Sequence, residues 1–360
     1  MRNCRECGFP RKFGRFFDWR ADGTIVSTDH SRTRSQITFL EDGELEDLFD
    51  DLSNTIGISV EPFLVQAQKK IGKAIFSGLP VRHMKRIPCN RFLRPQWVAR
   101  LLVKLIATDM AGLGDGRVSV DSYRAGQSLV LRFKNPCLVP LLAGSSAGIY
   151  ESVEDMPGSN IEYGIEGGEL VVHLSHGEDK AESESRLRLE DVGPGEGPLS
   201  YDRCAKCRTP LSASRALQWD LGRGVISNRI TGRREVVVAS QSVNAILWEL
   251  ETELGTDIPR IVYEHQRDYT RGRLAGRITG DSDMFWEDHL RDLAFRGLGY
   301  PTSLRHNGSS VSVTIANPYN QDLYAAKIAA ALETVTGSPS SVEWKKRSHH
   351  HCEYEITTDL

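Results

Sequence analysis

The sequence predicts an α+β protein built from two tandem, pseudo-symmetric copies of one unit. Three observations lead to this prediction. A Cys-x-x-Cys motif occurs twice, the segments after the two motifs match in the same order, and each copy changes from helical to strand-like periodicity in its second half. Many matches in one order indicate a duplicated unit. Two copies suggest an intrachain version of a symmetric dimer, with a pseudo-two-fold axis between them.

The matched segments divide the chain into two repeats and a linker. A length of 360 residues also favours about two domains. The linker is rich in Glu, Ser and Gly and lacks apolar periodicity, so we expect it to be semi-flexible and solvated. The predicted bounds are 1–175 for the first repeat (knuckle 1–40, helices 44–111, α+β unit 112–175), 176–203 for the linker, and 204–360 for the second repeat (knuckle 204–240, helices 241–296, α+β unit 297–360).

Each copy opens with a cysteine knuckle on a short β-hairpin. Cys4-Arg-Glu-Cys7 precedes Trp19, and Cys204-Ala-Lys-Cys207 precedes Trp219 at the same spacing. A turn that contains glycine follows each tryptophan and separates two short apolar runs. This pattern is typical of a hairpin.

Three helices are predicted next in each copy. Apolar residues recur at helical spacing, proline stands near the start of the second helix, and glycine follows the first and third, where helices commonly end. The first helix is predicted over 44–56 and 242–254, the second begins near Pro62 and Pro259, and the third is predicted over 96–110 and 285–295.

The last part of each copy has the period of a strand. Two predicted strands lead through an Asn-Pro step into a helix, and two more strands follow. The helix is predicted over 138–153 in the first copy and over 321–335 in the second. Each copy therefore ends in an antiparallel sheet with a packed helix.

The paired cysteines are the candidate metal ligands. One Cys-x-x-Cys pair supplies two thiolates, whereas a structural zinc takes four ligands. Neither copy contains a second pair, so we predict one structural zinc per chain, shared by Cys4, Cys7, Cys204 and Cys207. Three alternatives remain open: an iron–sulfur cluster, two redox-active pairs, and knuckles that are completed by another chain in a homodimer.

Composition and motifs restrict the function classes. The formal net charge of −3 argues against nucleic-acid binding, which needs a basic face. The sequence contains no apolar run long enough for a membrane span and no signal-peptide core, so a cytoplasmic location is expected. No Gly-x-Ser-x-Gly elbow, Walker loop or His-Glu-x-x-His motif occurs. These motifs identify no catalytic residue, and their absence weighs against an enzyme without deciding the question.

The second half of each copy resembles the 4-vinyl reductase domain family, whose members are small-molecule or hydrocarbon-binding modules. The resemblance covers roughly residues 95–175 and 284–357 and rests on the order of motifs. These motifs are Leu129-Val-Leu-Arg-Phe-Lys-Asn-Pro136 and Ala143-Gly-Ser-Ser-Ala-Gly-Ile-Tyr-Glu151 in the first copy, and Arg291-Asp-Leu-Ala-Phe-Arg-Gly-Leu-Gly299, Val311-Ser-Val-Thr-Ile-Ala-Asn-Pro318, Ala329-Ala-Ala-Leu-Glu333 and Ser341-Val-Glu-Trp344 in the second. The knuckles and the helices that follow them are additions to the family core.

The resemblance implies a pocket between the sheet and the helix after Asn-Pro. Gly144 and Gly148 would leave space beside this helix, and Tyr123, Phe133 and Tyr150 would line an apolar pocket. The function expected from this is a zinc-containing binding protein for an apolar or aromatic small molecule, monomeric or homodimeric. Two alternatives remain: an enzyme of aromatic, hydrocarbon or tetrapyrrole metabolism, and a regulator or assembly factor that binds a partner protein through its knuckles.

Overall fold

The computed structural model describes residues 2–27, 34–76, 95–177, 192–276 and 282–358. These ranges contain ten helices and three antiparallel sheets, which confirms a mixed α+β architecture. Half of the predicted linker, residues 178–191, lies outside the described ranges.

The first half contains a hairpin, four longer helices and a four-stranded sheet. Its helices start and end within a few residues of the predicted bounds. The elements are α1 (Phe13–Phe16), β1 (Phe17–Trp19), β2 (Ile25–Ser27), β3 (Ser35–Glu41), α2 (Asp42–Ile56), α3 (Glu61–Phe76), α4 (Pro95–Leu113), β4 (Arg117–Arg124), β5 (Ser128–Lys134), α5 (Val139–Glu154), β6 (Gly158–Glu166) and β7 (Glu169–Gly177).

The second half contains the same kinds of element in the same order. Its elements are α6 (Leu211–Ala216), β8 (Leu217–Asp220), β9 (Val225–Asn228), β10 (Arg234–Ala239), α7 (Ser240–Leu254), α8 (Ile258–Leu274), α9 (Ser282–Phe295), β11 (Pro301–His306), β12 (Ser310–Ala316), α10 (Gln321–Thr336), β13 (Ser340–Ser348) and β14 (His351–Thr358).

Both hairpins belong to one central sheet. Its strand order is β1-β2-β3-β10-β9-β8, so the two halves meet where β3 pairs with β10. Leu40 lies opposite Val236 and Phe39 opposite Val237, and all four side chains are buried. Because the backbone hydrogen bonds of this pair join the halves directly, the hairpins cannot separate without breaking the sheet.

Each half also has its own four-stranded sheet, covered by one helix. The strand orders are β4-β5-β7-β6 and β11-β12-β14-β13. Alternate residues of β5 are buried, and so are alternate residues of β12, as expected when only one face of an antiparallel sheet is covered. Helix α5 packs on the first sheet and α10 on the second.

Each hairpin packs against the far half of the protein. The indole N–H of Trp19 donates to the carbonyl of Phe295 at 3.0 Å, and that of Trp219 donates to the carbonyl of Gly112 at 3.0 Å. The hairpin turns make reciprocal contacts as well, since the amide of Gly116 donates to Gly224 O at 3.0 Å. The two halves are therefore interlocked, and neither buries its tryptophan alone.

The described end of the predicted linker lies on the first hairpin and the second sheet. The carbonyl of Gly193 accepts from both terminal nitrogens of Arg20 at 3.0 Å, and the amide of Leu199 donates to Ala21 O at 3.0 Å. The carbonyl of Pro194 accepts from Asn317 Nδ2 at 2.5 Å. These contacts hold this end in place, unlike the solvated segment that we expected. Across the described ranges, no helix is long and apolar enough to cross a membrane.

Candidate metal centre and ligand cavity

The four paired cysteines come together in space, although their two knuckles precede opposite edge strands of the central sheet, β1 and β8. The sulfur atoms of Cys4 and Cys204 are 3.9 Å apart, and those of Cys7 and Cys207 are 3.3 Å apart. All four sulfur atoms lie within 4.8 Å of one another. A tetrahedral ion with metal–sulfur bonds near 2.3 Å separates its ligands by about 3.8 Å. The cluster therefore has the dimensions of a tetrathiolate metal site.

Equivalent backbone turns hold the two cysteine pairs. The amide of Cys4 donates to Phe9 O at 2.7 Å, and the amide of Cys204 donates to Thr209 O at 2.9 Å. The turn residues after the second cysteines, Gly8 and Arg208, have positive φ angles of 78° and 66°. These tight turns place both sulfur atoms of a pair on one side, which is the arrangement that a zinc knuckle needs.

The thiol environment favours negative charge on Cys4. Burial acts to raise the pKa of this thiol, but hydrogen bonds from the Cys7 and Glu6 amides and from neighbouring thiols outweigh it and lower the pKa to about 7. Burial raises the pKa of Cys7 well above its ordinary value. A bound cation would stabilise all four thiolates together, since metal ligation requires the deprotonated form. With four protein ligands a tetrahedral ion has no open position, so the centre would be structural.

The pocket residues implied by the family resemblance lie in a packed core. Phe133 and Tyr150 are buried among the side chains that join the first four-stranded sheet to α5. Tyr123 lies at the edge of this core, where its hydroxyl donates to the Glu154 carboxylate. In the described structure these aromatic side chains fill the space between sheet and helix.

Gly144 and Gly148 face helix α3 and do not open a space. A Cβ atom at Gly144 would lie 2.4 Å from the carbonyl oxygen of Val65, and one at Gly148 would lie 2.2 Å from that of Lys69. Both distances are far below van der Waals contact. The small residues therefore allow α3 and α5 to pack backbone to backbone. This corrects the prediction that they make room for a ligand.

We expect Gly148→Ala to destabilise the protein by about 3 kcal/mol or more, because the new methyl group would overlap rigid backbone atoms of α3. Gly164→Ala is the matched control, since a Cβ atom there has no neighbour within 4 Å. Urea unfolding measures both free energies. Equal effects of the two substitutions would show that the close packing of α3 and α5 contributes little.

A cavity of about 430 Å³ lies along a different face of α5. Leu141, Ser145 and Ile149 recur every four residues and line it, whereas Ala143 and Ala147 pack on the sheet. Helices α2, α3, α4 and α7 and strand β10 supply the other walls. The lining is mostly aliphatic and includes Leu45, Ile106, Leu138, Val238, Val243 and Ile246.

The corresponding position beside α10 is filled by charged side chains. By alignment of the helices, Lys327 takes the place of Ser145 and Glu44 that of Ser242. Lys327 Nζ lies 2.5 Å from Glu44 Oε1, and both residues are buried. Burial lowers the pKa of Lys327, and the Glu44 carboxylate opposes this. Arg296 adds a second cation, 3.5 Å from Glu44. One half thus has an apolar cavity where the other has a buried ion-pair cluster.

Neither this ion-pair cluster nor the cavity beside α5 was predicted from the sequence. Lys327 could have indicated the cluster from the sequence. It lies within the alanine-rich centre of α10, where the residues next to it in the sequence have apolar side chains. A lysine at such a position needs a buried anionic partner. No comparable pattern marks the cavity, because its walls come from six separate elements.

Comparisons with known proteins add little. No protein-family model matches the sequence, and no curated protein matches it. Two solved structures of H-NOX proteins are weakly similar, one from a study of heme distortion and one a point mutant from T. tengcongensis. They are 13% and 14% identical to this chain, the matches cover 34% of it and 73% and 75% of the H-NOX chains, and the TM-score is 0.26 in both. A TM-score this low supports no argument about fold or ligand.

Proposed function

We propose that this protein binds an apolar or aromatic small molecule in the cavity beside α5. The observation that carries this proposal is the cavity itself. Its volume of about 430 Å³ lies within the range of ligand pockets, about 300–1,000 Å³, and its walls are mostly aliphatic. Protein interiors are normally close-packed, so a space of this size beside α5, at a position that charged side chains fill beside α10, favours a bound ligand.

We further propose that the cysteine cluster holds one structural zinc ion. The sulfur–sulfur distances and the all-thiolate donor set support this choice. The ion would join the two knuckles, which precede the edge strands β1 and β8 of the central sheet. Helix α7 and strand β10, which wall the cavity, follow the second knuckle in sequence, so the metal centre would also stabilise the binding site.

We also propose that the two halves are copies related by a pseudo-two-fold axis. We propose in addition that each α+β unit is a member of the 4-vinyl reductase domain family. Identical strand orders in the two four-stranded sheets and the reciprocal tryptophan contacts support the first proposal. The order of Gly-x-Gly, two strands, Asn-Pro, helix and two strands supports the second.

Binding is tested with N-phenyl-1-naphthylamine, a neutral aromatic probe whose fluorescence rises in apolar sites. We expect saturable binding to the unsubstituted protein. Ser242→Phe should weaken it at least about tenfold, because the ring would occupy the cavity that Ser242 lines.

Ser242→Ala is the control, since it removes the hydroxyl but keeps the space. Metal content and melting temperature show whether each variant is folded. Absence of saturable binding to the unsubstituted protein, or equal binding to a folded Ser242→Phe variant, would overturn the proposed function.

A further inference from the structure

One carboxylate in the cavity wall has no side-chain partner among the residues that the structure describes. Two aspartates, Asp109 and Asp115, are among the described lining residues. Asp109 forms an ion pair with Lys12. Among the described residues, none donates a hydrogen bond to the carboxylate of Asp115 or forms an ion pair with it, and most of the wall around it is aliphatic. The described wall contains no lysine, arginine or histidine.

The nearest basic side chain is already engaged. Arg234 donates to the carbonyl oxygens of Gly114 and Asn135 at 2.7 Å and to that of Pro136 at 3.1 Å. Burial raises the pKa of Asp115 to about 7, although the positive charge of Arg234 acts to lower it. The Arg234 charge therefore does not compensate the carboxylate fully, because its terminal nitrogens donate to backbone carbonyls and its Nε lies 3.8 Å from Asp42 Oδ2.

We propose that the ligand is an apolar amine, whose hydrocarbon part fills the cavity and whose protonated amine binds the carboxylate of Asp115. This inference rests on the proposed function and specifies its ligand class. An ammonium group would supply the charge-assisted hydrogen bonds that Asp115 lacks. A carboxylic acid would instead bring a further anion to a wall whose described residues include no lysine, arginine or histidine, and a neutral alcohol would bring no positive charge to Asp115.

The test compares three ligands of equal chain length: decylamine, 1-decanol and decanoate. Each displaces N-phenyl-1-naphthylamine at pH 8, where Asp115 is mostly ionised. We expect decylamine to bind about tenfold or more tightly than 1-decanol, and decanoate to bind least. This ranking is measured on the unsubstituted protein and does not depend on any variant.

Asp115→Asn then identifies the group responsible. Decylamine should lose its advantage, so that the ratio of its dissociation constant to that of 1-decanol rises to about one. Asp115→Ser serves if the asparagine variant fails to fold. Equal competition by the three ligands, or a decylamine advantage that persists in Asp115→Asn, would overturn the amine assignment and leave the proposed function standing. Failure of the probe to bind at all would overturn the proposed function itself.

Discussion

Replacing Cys204 by serine is expected to empty the four-cysteine site and unfold both halves of the protein. The sulfur atoms of all four cysteines lie within 4.8 Å, so one lost ligand disrupts the whole donor set. Structural zinc contributes about 10–16 kcal/mol to the folding of zinc-finger peptides. This contribution is comparable to the total free energy of unfolding of a typical domain, about 5–15 kcal/mol. Elemental analysis should find one zinc per unsubstituted chain and none in the variant.

Both halves should unfold in the Cys204→Ser variant because they are interlocked. The central sheet contains strands from both hairpins, and each tryptophan donates a hydrogen bond to the far half. Cys352→Ala is the matched control, because this buried thiol lies in the core of the second half and outside the cluster. It should retain its zinc and melt as a single transition. Two zinc ions per chain, or a folded first half in the Cys204→Ser variant, would contradict the shared site.

Replacing Lys327 by methionine is expected to cost about 3–5 kcal/mol of stability, because it leaves the buried Glu44 carboxylate without its closest cation. The remaining cation, Arg296, lies farther away at 3.5 Å and also serves Glu235 at 3.7 Å. Urea unfolding measures the loss of unfolding free energy, provided that the m-values of the variant and the unsubstituted protein are equal.

A double variant separates the ion pair from simple packing. Glu44→Gln combined with Lys327→Met removes both charges and should recover most of the lost stability, since uncharged replacements of a buried pair are often well tolerated. Lys345→Met is the control, because Lys345 pairs with Glu355 at 2.9 Å on the surface and should cost less than about 1 kcal/mol. If Lys327→Met costs no more than this control, the buried pair does not hold α10 against the first half.

The local features of the fold could be predicted from the sequence. Glycines at 57 and 255 mark the ends of α2 and α7, and the change of period marks the start of the sheets. The two knuckles and their sharing of one site followed from counting ligands, because two thiolates cannot complete a tetrahedral centre. These inferences need only the local sequence pattern and the coordination number of a structural zinc ion.

The position of the proposed ligand-binding cavity could not be predicted from the sequence in the same way. Gly144 and Gly148 give the same sequence pattern whether they face a ligand or the backbone of α3, and only the packed structure shows that a Cβ atom there would meet Lys69 O at 2.2 Å. The cavity, with Asp115 in its wall, depends on how five elements far apart in the chain pack around α5. By itself the sequence determined the order of the elements and the four cysteines of the candidate metal site, because periodicity and ligand number are local properties. The tertiary structure decided which faces meet, which glycines pack and which charges are buried, because these depend on distances between residues far apart in the chain.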